Sequence, residues 1–202
     1  MDVSLWLTRK GRAPRIAFSG SAGTGKTTLA ERLAERWQVP YQDEGMRRRL
    51  EAGLDMHQLS RDQYKALLRE LADENEAGLE AARSAGAGLV CDRAPLDTLA
   101  FWIHYGLIYA GREESDAIAK QQLARCTGLD LIVLLPWGAL PLVSDGVRSD
   151  NPWLQLQFQT LVEGLAREFL PPESWVLLPK DITSLDQRID WIEDRLFTLS
   201  TK

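Results

Sequence analysis

The sequence predicts a three-layer α/β domain, in which a mainly parallel five-stranded sheet carries helices on both faces. Two observations predict this fold class. Short apolar segments of strand length alternate along the chain with longer segments whose apolar residues recur every three or four positions, as on one face of a helix. The strand segments are apolar throughout instead of alternating with polar residues, which is typical of strands buried between two layers of helices.

Five short segments are predicted to be strands. Each is rich in β-branched, aromatic or other apolar residues, and each is closed by a glycine, an aspartate or a proline. In chain order, the predicted strands are residues 15–19, 39–43, 88–92, 129–135 and 175–178.

Seven segments between and after these strands are predicted to be helices. Ser60 and Gln63 form a capping box at the start of the longest one, and Ser184 and Gln187 form the same pattern at the start of the last. Pro152 stands at the first position of another helix, where a missing N–H group is tolerated. The predicted helices are residues 27–37, 44–51, 60–86, 95–107, 114–125, 152–169 and 184–196.

Length and composition are those of one globular domain. The chain has 202 residues, 45% of them apolar and 26% charged, which excludes a disordered chain, a collagen and a coiled coil. We expect a loose arm over residues 1–13 and a single domain over residues 14–202. Cys91 and Cys126 are too few for a disulfide framework, which fits a reducing, cytoplasmic location. A homodimer is an alternative to a monomer.

The charge and hydropathy of the chain argue against non-specific coating of DNA and against insertion into a membrane. The formal net charge is −5, so no overall basic field exists that would coat DNA non-specifically. The longest apolar stretch, residues 129–137, is too short to span a membrane and contains Asp130. The apolar run at residues 3–7 is too short for a signal peptide, so we expect neither a targeting segment nor a membrane partner.

A glycine-rich phosphate-binding motif, the P-loop, follows the first predicted strand. Residues 20–27 match the pattern GxxxxGK[ST], with a strand before the motif and a helix after it. Its backbone N–H groups turn inward and bind phosphate oxygens together with the helix N-terminus. The Lys26 ammonium is predicted to reach the β- and γ-phosphates, and the Thr27 hydroxyl to ligate Mg²⁺. The predicted nucleotide-binding residues are Gly20, Ser21, Ala22, Gly23, Thr24, Gly25, Lys26, Thr27 and Thr28.

Charged side chains follow three other predicted strands. Because ligands of parallel α/β sheets bind beyond the carboxyl ends of the strands, we expect these side chains to lie around the phosphate-binding motif. They are Asp43, Glu44 and Arg47 after the second strand, Asp92, Arg93 and Asp97 after the third, and Arg148 after the fourth.

With these motifs the chain resembles the small NadR-like P-loop kinases and, more distantly, the deoxynucleoside and thymidylate kinases. The resemblance runs from about residue 15 to the final helix. It implies a kinase that uses ATP and Mg²⁺ to phosphorylate a hydroxyl group of a nucleoside- or nucleotide-like substrate, with nicotinamide riboside as one candidate. The motifs that carry the resemblance are the P-loop, E-x-x-R from Glu44 to Arg47, D-R-x-x-x-D from Asp92 to Asp97, and D-G-x-R from Asp145 to Arg148.

Four residues are predicted to be catalytic. Phosphoryl transfer needs charge stabilisation and an oriented acceptor more than covalent chemistry. Glu44 is predicted to accept the proton of the acceptor hydroxyl, with Asp43 as its rival. Asp92 ends an apolar strand and is predicted to hold Mg²⁺ together with Thr27. The predicted catalytic residues are Lys26, Glu44, Asp92 and Arg148.

Further residues are predicted to bind the substrate and to close the site. A lid is expected over residues 136–153, where Arg148 would neutralise charge that develops during transfer. For Arg93, the alternative to substrate binding is a mutual ion pair with Asp92. For Asp97, the alternative is the role of an acid near a helix N-terminus. Adenine is expected near residues 179–183. The predicted substrate-binding residues are Asp43, Arg47, Arg93 and Asp97.

Two other functions remain open. One is phosphorylation of a hydroxymethylated pyrimidine in viral DNA, for which the arginines at residues 47–49 would line a groove. The other is an ATPase or a GTP switch. Motor ATPases of the AAA+ class carry a strand that ends in Asp-Glu, whereas the third strand here ends in Asp92-Arg93. The [NT]KxD pattern of guanine-specific switches is missing from residues 179–182. Both differences favour the kinase.

Overall fold

The fold is a five-stranded parallel sheet with helices on both faces, which confirms the predicted fold class. A computed structural model describes residues 4–141 and 151–200. The strands are β1 (Arg15–Ser19), β2 (Tyr41–Gln42), β3 (Leu89–Cys91), β4 (Leu131–Leu134) and β5 (Trp175–Leu177). Their order across the sheet is β2-β3-β1-β4-β5, and every neighbouring pair is parallel.

The described residues form eight α-helices, which connect the strands or flank the sheet. Short 3₁₀ turns follow α3, α5 and α7, at Met56–Gln58, Leu107–Ala110 and Pro172–Ser174. The helices are α1 (Ser4–Lys10), α2 (Lys26–Trp37), α3 (Met46–Glu51), α4 (Arg61–Ser84), α5 (Pro95–His104), α6 (Arg112–Cys126), α7 (Pro152–Phe169) and α8 (Leu185–Ser200).

The central strand β1 separates two apolar cores. Its side chains alternate between the faces of the sheet, as the two-residue period of a strand requires. Ala17 belongs to the core that α4, α5, α6 and α7 form on one face. Ile16 and Phe18 belong to the core that α1, α2 and α8 form on the other. All three are fully buried, so the strand that leads into the phosphate-binding motif is held from both faces.

The N-terminal segment differs from the loose arm expected over residues 1–13. Residues Ser4–Lys10 form α1, and Trp6 is buried in the same core as Leu196 of α8. After the helix, Arg12 donates two hydrogen bonds, of 2.6 and 2.8 Å, to the carboxylate of Asp130. Burial of the indole and this bidentate ion pair order the segment.

Predicted and observed element boundaries agree at the start of α4 and differ at β2 and at the end of α5. The capping box of α4 is confirmed, because Ser60 and Gln63 exchange hydrogen bonds of 2.8 and 3.3 Å. The strand predicted over residues 39–43 covers only Tyr41–Gln42, at the edge of the sheet. The helix predicted to reach residue 107 ends at His104 instead, because Gly106 adopts the left-handed conformation, with φ of 69°.

Part of the predicted lid lies outside the described residues. The lid was expected over residues 136–153, and residues 142–150 are not among those described. Within the described ranges, no helix combines the length and the apolar character needed to cross a bilayer.

Candidate active site

The phosphate-binding motif forms the turn between β1 and α2. Gly20 has a φ of 125°, and a Cβ atom there would lie 2.8 Å from the carbonyl oxygen of Leu135, so a larger residue would collide with the backbone. Gly25, with φ of 85°, precedes Lys26, the first residue of α2. The turn therefore presents a helix N-terminus and a run of backbone N–H groups, which together suit an anion such as phosphate.

Lys26 is the buried cation of this loop. The residue is only 4% exposed, and its ammonium donates a hydrogen bond of 2.6 Å to the carbonyl oxygen of Ser21. Burial, together with the positive charge of Arg93, lowers the pKa of Lys26 to about 7. Negative phosphate charges beside the ammonium would raise this pKa again, so the environment of Lys26 suits a bound polyanion.

Asp92 follows β3 and meets the start of α2. The Thr27 hydroxyl donates a hydrogen bond of 2.6 Å to Oδ2 of Asp92, and the hydroxyl of Tyr41 lies 3.5 Å from the same oxygen. The other carboxylate oxygen, Oδ1, is buried and has no hydrogen-bond partner among the described residues. Burial raises the pKa of Asp92, and the hydrogen bond from Thr27 opposes that shift.

The donor set at Asp92 fits a magnesium ion that also binds phosphate. Mg²⁺ is commonly held by one or two protein oxygens together with phosphate oxygens and water. Thr27 offers a hydroxyl oxygen, and Asp92 offers a carboxylate with one unpartnered oxygen. Within residues 4–141 and 151–200, no three histidine, cysteine, aspartate or glutamate side chains are grouped as a metal site. The arrangement therefore suits a nucleotide-bound metal.

Arg93 connects the carboxylates of the site to the phosphate-binding loop. Its guanidinium donates to Glu44 at 2.9 Å, to Asp97 at 2.8 Å and to the carbonyl oxygen of Gly20 at 2.8 Å. Burial alone would lower the pKa of Arg93, but the carboxylates of Glu44, Asp97 and Asp92 raise it above its usual value. Asp97 also accepts the N–H of Ala94 at 3.1 Å, so it supports the start of α5 as well as Arg93.

Replacing Arg93 by methionine is expected to lower the free energy of unfolding by about 3–5 kcal/mol. The substitution leaves the buried carboxylates of Glu44 and Asp97 without their cation. Urea unfolding measures the change. The matched control is Arg48→Met, which removes an exposed ion pair with Asp43 and should change stability by less than about 1 kcal/mol. Equal effects of the two substitutions would contradict this role of Arg93.

Glu44 and Asp43, the two candidate general bases, lie in different environments. The Glu44 side chain is 8% exposed and faces Arg93, whereas the Asp43 side chain is 43% exposed and pairs with Arg48. Asp43 also accepts the N–H of Gly45 at 2.9 Å, which places its carboxylate at the start of α3. Only Glu44 of this pair therefore belongs to the buried cluster around Arg93.

The predicted arginines lie in different environments. Arg47 occupies an exposed position of α3. Arg48 pairs with Asp43, and Arg49 binds Glu74 at 2.6 Å, so acids match the charges of these two arginines. The predicted lid arginine, Arg148, lies outside the described residues.

A group of aromatic rings packs beside Arg93. The guanidinium carbon lies 5.2 Å from the ring centre of Phe101 and 5.6 Å from that of Phe158. The two phenylalanine rings are 4.4 Å apart, Phe101 stacks on Tyr105 at 5.9 Å, and Tyr105 lies 4.7 Å from Tyr64. The rings thus continue from the charged cluster towards the partly exposed tyrosines. Phe158 is buried in the core, so only the outer rings of this group are accessible from solvent.

Two buried polar residues that contact the loop were not predicted from the sequence. Gln159 of α7 accepts the N–H of Ser21 at 2.9 Å and donates to the carbonyl oxygen of Leu135 at 3.1 Å. Arg188 of α8 donates to the carbonyl oxygen of Thr24 at 3.0 Å. Both lie on the core-facing side of an amphipathic helix. A polar residue at a helix position where the periodicity favours an apolar one is the sequence signal that indicates such a buried contact.

Solved structures with this fold include two kinds of protein. NadR in complex with NR and NadR in complex with NAD and AMP-PNP are each 20% identical to this chain, with a TM-score of 0.63. The alignments cover 95% and 97% of this chain but 52% of the NadR chains, so this chain spans about half of their length. Deoxyadenosine kinase from M. mycoides, with products dCMP and dCDP bound, is 12% identical at a TM-score of 0.57, covering 91% of this chain and 99% of that one.

These likenesses confirm the predicted resemblance to NadR-like small P-loop kinases at the level of the fold. No curated protein matches the chain. A family model described as AAA domain matches residues 15–184, a span that includes the phosphate-binding loop and all five strands. The chain therefore belongs to this AAA domain family.

Proposed function

We propose that this protein is a kinase that transfers the γ-phosphate of ATP to a hydroxyl group of a nucleoside- or nucleotide-like acceptor. The observation that carries the proposal is the bridge made by Arg93, which binds the Gly20 carbonyl of the loop and the carboxylates of Glu44 and Asp97. The bridge supports the proposal, because it would hold a carboxylate that can accept a proton close to the loop proposed to bind phosphate. Phosphoryl transfer to an alcohol requires these two groups at one place.

The donor nucleotide is proposed to bind through its phosphates in the loop of residues 20–28. Backbone N–H groups and the Lys26 ammonium would hold the phosphate oxygens. Thr27 and Asp92 would hold Mg²⁺, which when bound neutralises part of the phosphate charge. The complex of NadR with NAD and AMP-PNP supports a nucleotide ligand for this fold.

In the proposed step, the acceptor oxygen forms a bond to the γ-phosphorus while the bond from that phosphorus to the bridging oxygen of ADP breaks. ADP leaves with the electron pair of the broken bond, and the hydroxyl proton passes to the Glu44 carboxylate. Arg93 keeps that carboxylate oriented through its 2.9 Å hydrogen bond. Lys26 stabilises the charge of the transferring group, and Arg148 is proposed to add positive charge from the lid.

The acceptor is proposed to be a small molecule with an aromatic base. The partly exposed rings of Tyr64 and Tyr105 support this choice, because a flat base is proposed to pack against aromatic rings near the Arg93 cluster. The nucleoside and nucleotide ligands of NadR and deoxyadenosine kinase point the same way. A DNA acceptor is less favoured, since acids already match two of the arginines at residues 47–49.

A transfer screen with ATP labelled at the γ-phosphate tests the proposed function. The acceptors are nucleosides, nucleoside monophosphates, nicotinamide riboside and DNA that contains hydroxymethylated pyrimidines. Label on a small acceptor supports the proposal, and label only on DNA would assign the polynucleotide alternative. Rapid release of labelled phosphate without any acceptor would instead indicate an ATPase.

Binding of ATP is expected to take up protons at about pH 8.5, where a lysine whose pKa is near 7 is mostly neutral. The buried Lys26 has such a pKa, and phosphate charges would raise it on binding. Calorimetric titration in two buffers of different ionisation enthalpy measures the uptake, which should approach one proton per ATP. The uptake should shrink below pH 7, since Lys26 is then already protonated. ATP binding without uptake at the higher pH would contradict this role of Lys26.

A further inference from the structure

Arg188 is a buried arginine at the contact between α8 and the phosphate-binding loop. The residue is 2% exposed. Its Nε donates to the carbonyl oxygen of Ile182 at 3.0 Å, and its Nη1 donates to the carbonyl oxygen of Thr24 at 3.0 Å. The third nitrogen, Nη2, is buried and has no hydrogen-bond partner in the described part of the chain. The guanidinium therefore joins two backbone segments and keeps an unused donor.

The charge of Arg188 is not balanced by an acidic side chain among the described residues. Both of its side-chain hydrogen bonds go to neutral carbonyl groups, and burial lowers the pKa of Arg188 with no opposing carboxylate. Arg93, which also contacts the loop, is by contrast paired with two carboxylates. A buried charge without a partner opposes folding, so a group that supplies negative charge nearby should bind favourably.

Arg188 lies behind the loop, on the side away from the predicted phosphate site. The Thr24–Gly25 peptide bond is trans, so its carbonyl oxygen and its N–H group point in opposite directions. The N–H groups of such a loop face the phosphates, and Arg188 binds the carbonyl oxygen on the opposite side. A Cβ atom at Gly25 would lie 3.2 Å from Nη1 of Arg188, so the guanidinium packs directly on this peptide.

We propose that Arg188 is a positioning residue for the nucleotide phosphates. Its positive charge lies behind the loop and acts on the phosphates by way of the Thr24–Gly25 peptide group, which lies between them. The proposal rests on the nucleotide site of the proposed function. A cation bound to the carbonyl oxygen polarises the peptide and strengthens its N–H as a donor to phosphate. The phosphates in turn provide the negative charge that the guanidinium lacks in the described part of the protein.

The test compares variants of Arg188 that differ mainly in charge. Arg188→Lys keeps the charge and one donor group, whereas Arg188→Gln keeps a donor group and removes the charge. Arg195→Gln is the matched control, because Arg195 is an exposed arginine of the same helix. Dissociation constants for ATP and AMP are measured by calorimetry, and thermal unfolding of each protein is measured without ligand.

Arg188→Gln is expected to weaken ATP binding by about tenfold or more, since it removes a full charge near several phosphate charges. AMP, which carries fewer phosphates, should lose much less affinity, and Arg188→Lys should recover part of the ATP affinity. The unfolding temperature of ligand-free Arg188→Gln should stay close to the wild-type value, because removal of an unbalanced buried charge offsets the weakened hydrogen bonding to the carbonyl oxygens of Thr24 and Ile182. A residue with only a structural role would lower that temperature and leave the ratio of ATP to AMP affinity unchanged.

Three outcomes would overturn the role of Arg188 alone: wild-type ATP affinity in Arg188→Gln, equal losses for ATP and AMP, or a lower unfolding temperature with an unchanged affinity ratio. Absence of ATP binding to the wild-type protein would instead overturn the proposed nucleotide site, and this inference with it. If Arg188→Gln does not fold, Arg188→Met is compared with Arg188→Lys in the same way.

Discussion

Replacing Lys26 by alanine is expected to lower the rate of phosphoryl transfer by roughly 1,000-fold. The ammonium is the cation of the loop that would meet the γ-phosphate, and α2 holds it at the helix N-terminus. Its loss removes charge stabilisation where the negative charge is greatest. The turnover number with saturating ATP and acceptor measures the effect. Lys120→Ala, on an exposed position of α6, is the matched control and should retain wild-type activity.

The same substitution should not unfold the protein. The pKa of Lys26 is about 7 in the folded state, below its ordinary value of 10.5, so the unfolded chain binds this proton more tightly. Burial of the ammonium therefore opposes folding fully below pH 7, and this opposition fades as the pH rises to the ordinary pKa. The stability of Lys26→Ala relative to wild type should be highest below pH 7, as urea unfolding at several pH values will test. A folded Lys26→Ala protein with wild-type turnover would refute the assigned role.

Replacing Glu44 by glutamine is expected to lower the turnover number by about 100- to 10,000-fold. Glutamine keeps the size of the side chain and can still accept the hydrogen bond from Arg93, but it cannot take the acceptor proton. Because Glu44 is not part of the phosphate-binding loop, the dissociation constant of ATP should be nearly unchanged. Steady-state kinetics and calorimetry separate these two quantities.

Asp43→Asn is the matched control for Glu44→Gln. Asp43 is the neighbouring acid, and its carboxylate pairs with Arg48 near the surface, so its substitution should leave the turnover number close to that of wild type. A large loss in Asp43→Asn with none in Glu44→Gln would move the base one residue earlier. Losses of equal size in both ATP affinity and turnover would indicate that Glu44 maintains the shape of the site instead.

The fold was predictable because its signals are local. The continuous apolar strands and the three- and four-residue helix spacing lie within single segments of the chain. The phosphate-binding motif is equally local, since eight consecutive residues determine it. The structure differs from the prediction where contacts with a distant part of the chain determine the conformation. The segment with Trp6 forms helix α1, and its indole packs in one core with residues of α2 and α8 that lie far away in the sequence.

The contacts of the candidate site were harder to predict because they join segments distant in the sequence. The pattern around Arg93 indicated a charged strand end, but its bridge to Gly20 depends on β1 and β3 being neighbours in the sheet. Arg188 occupies a helix position where the periodicity favours an apolar residue. Its partners are backbone carbonyl groups. Every residue has such a group, so the amino-acid sequence does not indicate which of them a side chain contacts.

The position of β1 in the sheet affects how the chain folds during synthesis. Ile16 pairs with Leu131, which emerges from the ribosome more than a hundred residues later. Until then one edge of β1 exposes unpaired backbone groups, and edges of this kind promote aggregation. Pairings between such distant segments also form slowly. We expect nascent chains that stop before β4 to need chaperone protection, and the phosphate-binding turn to become ordered only after β4 has been made.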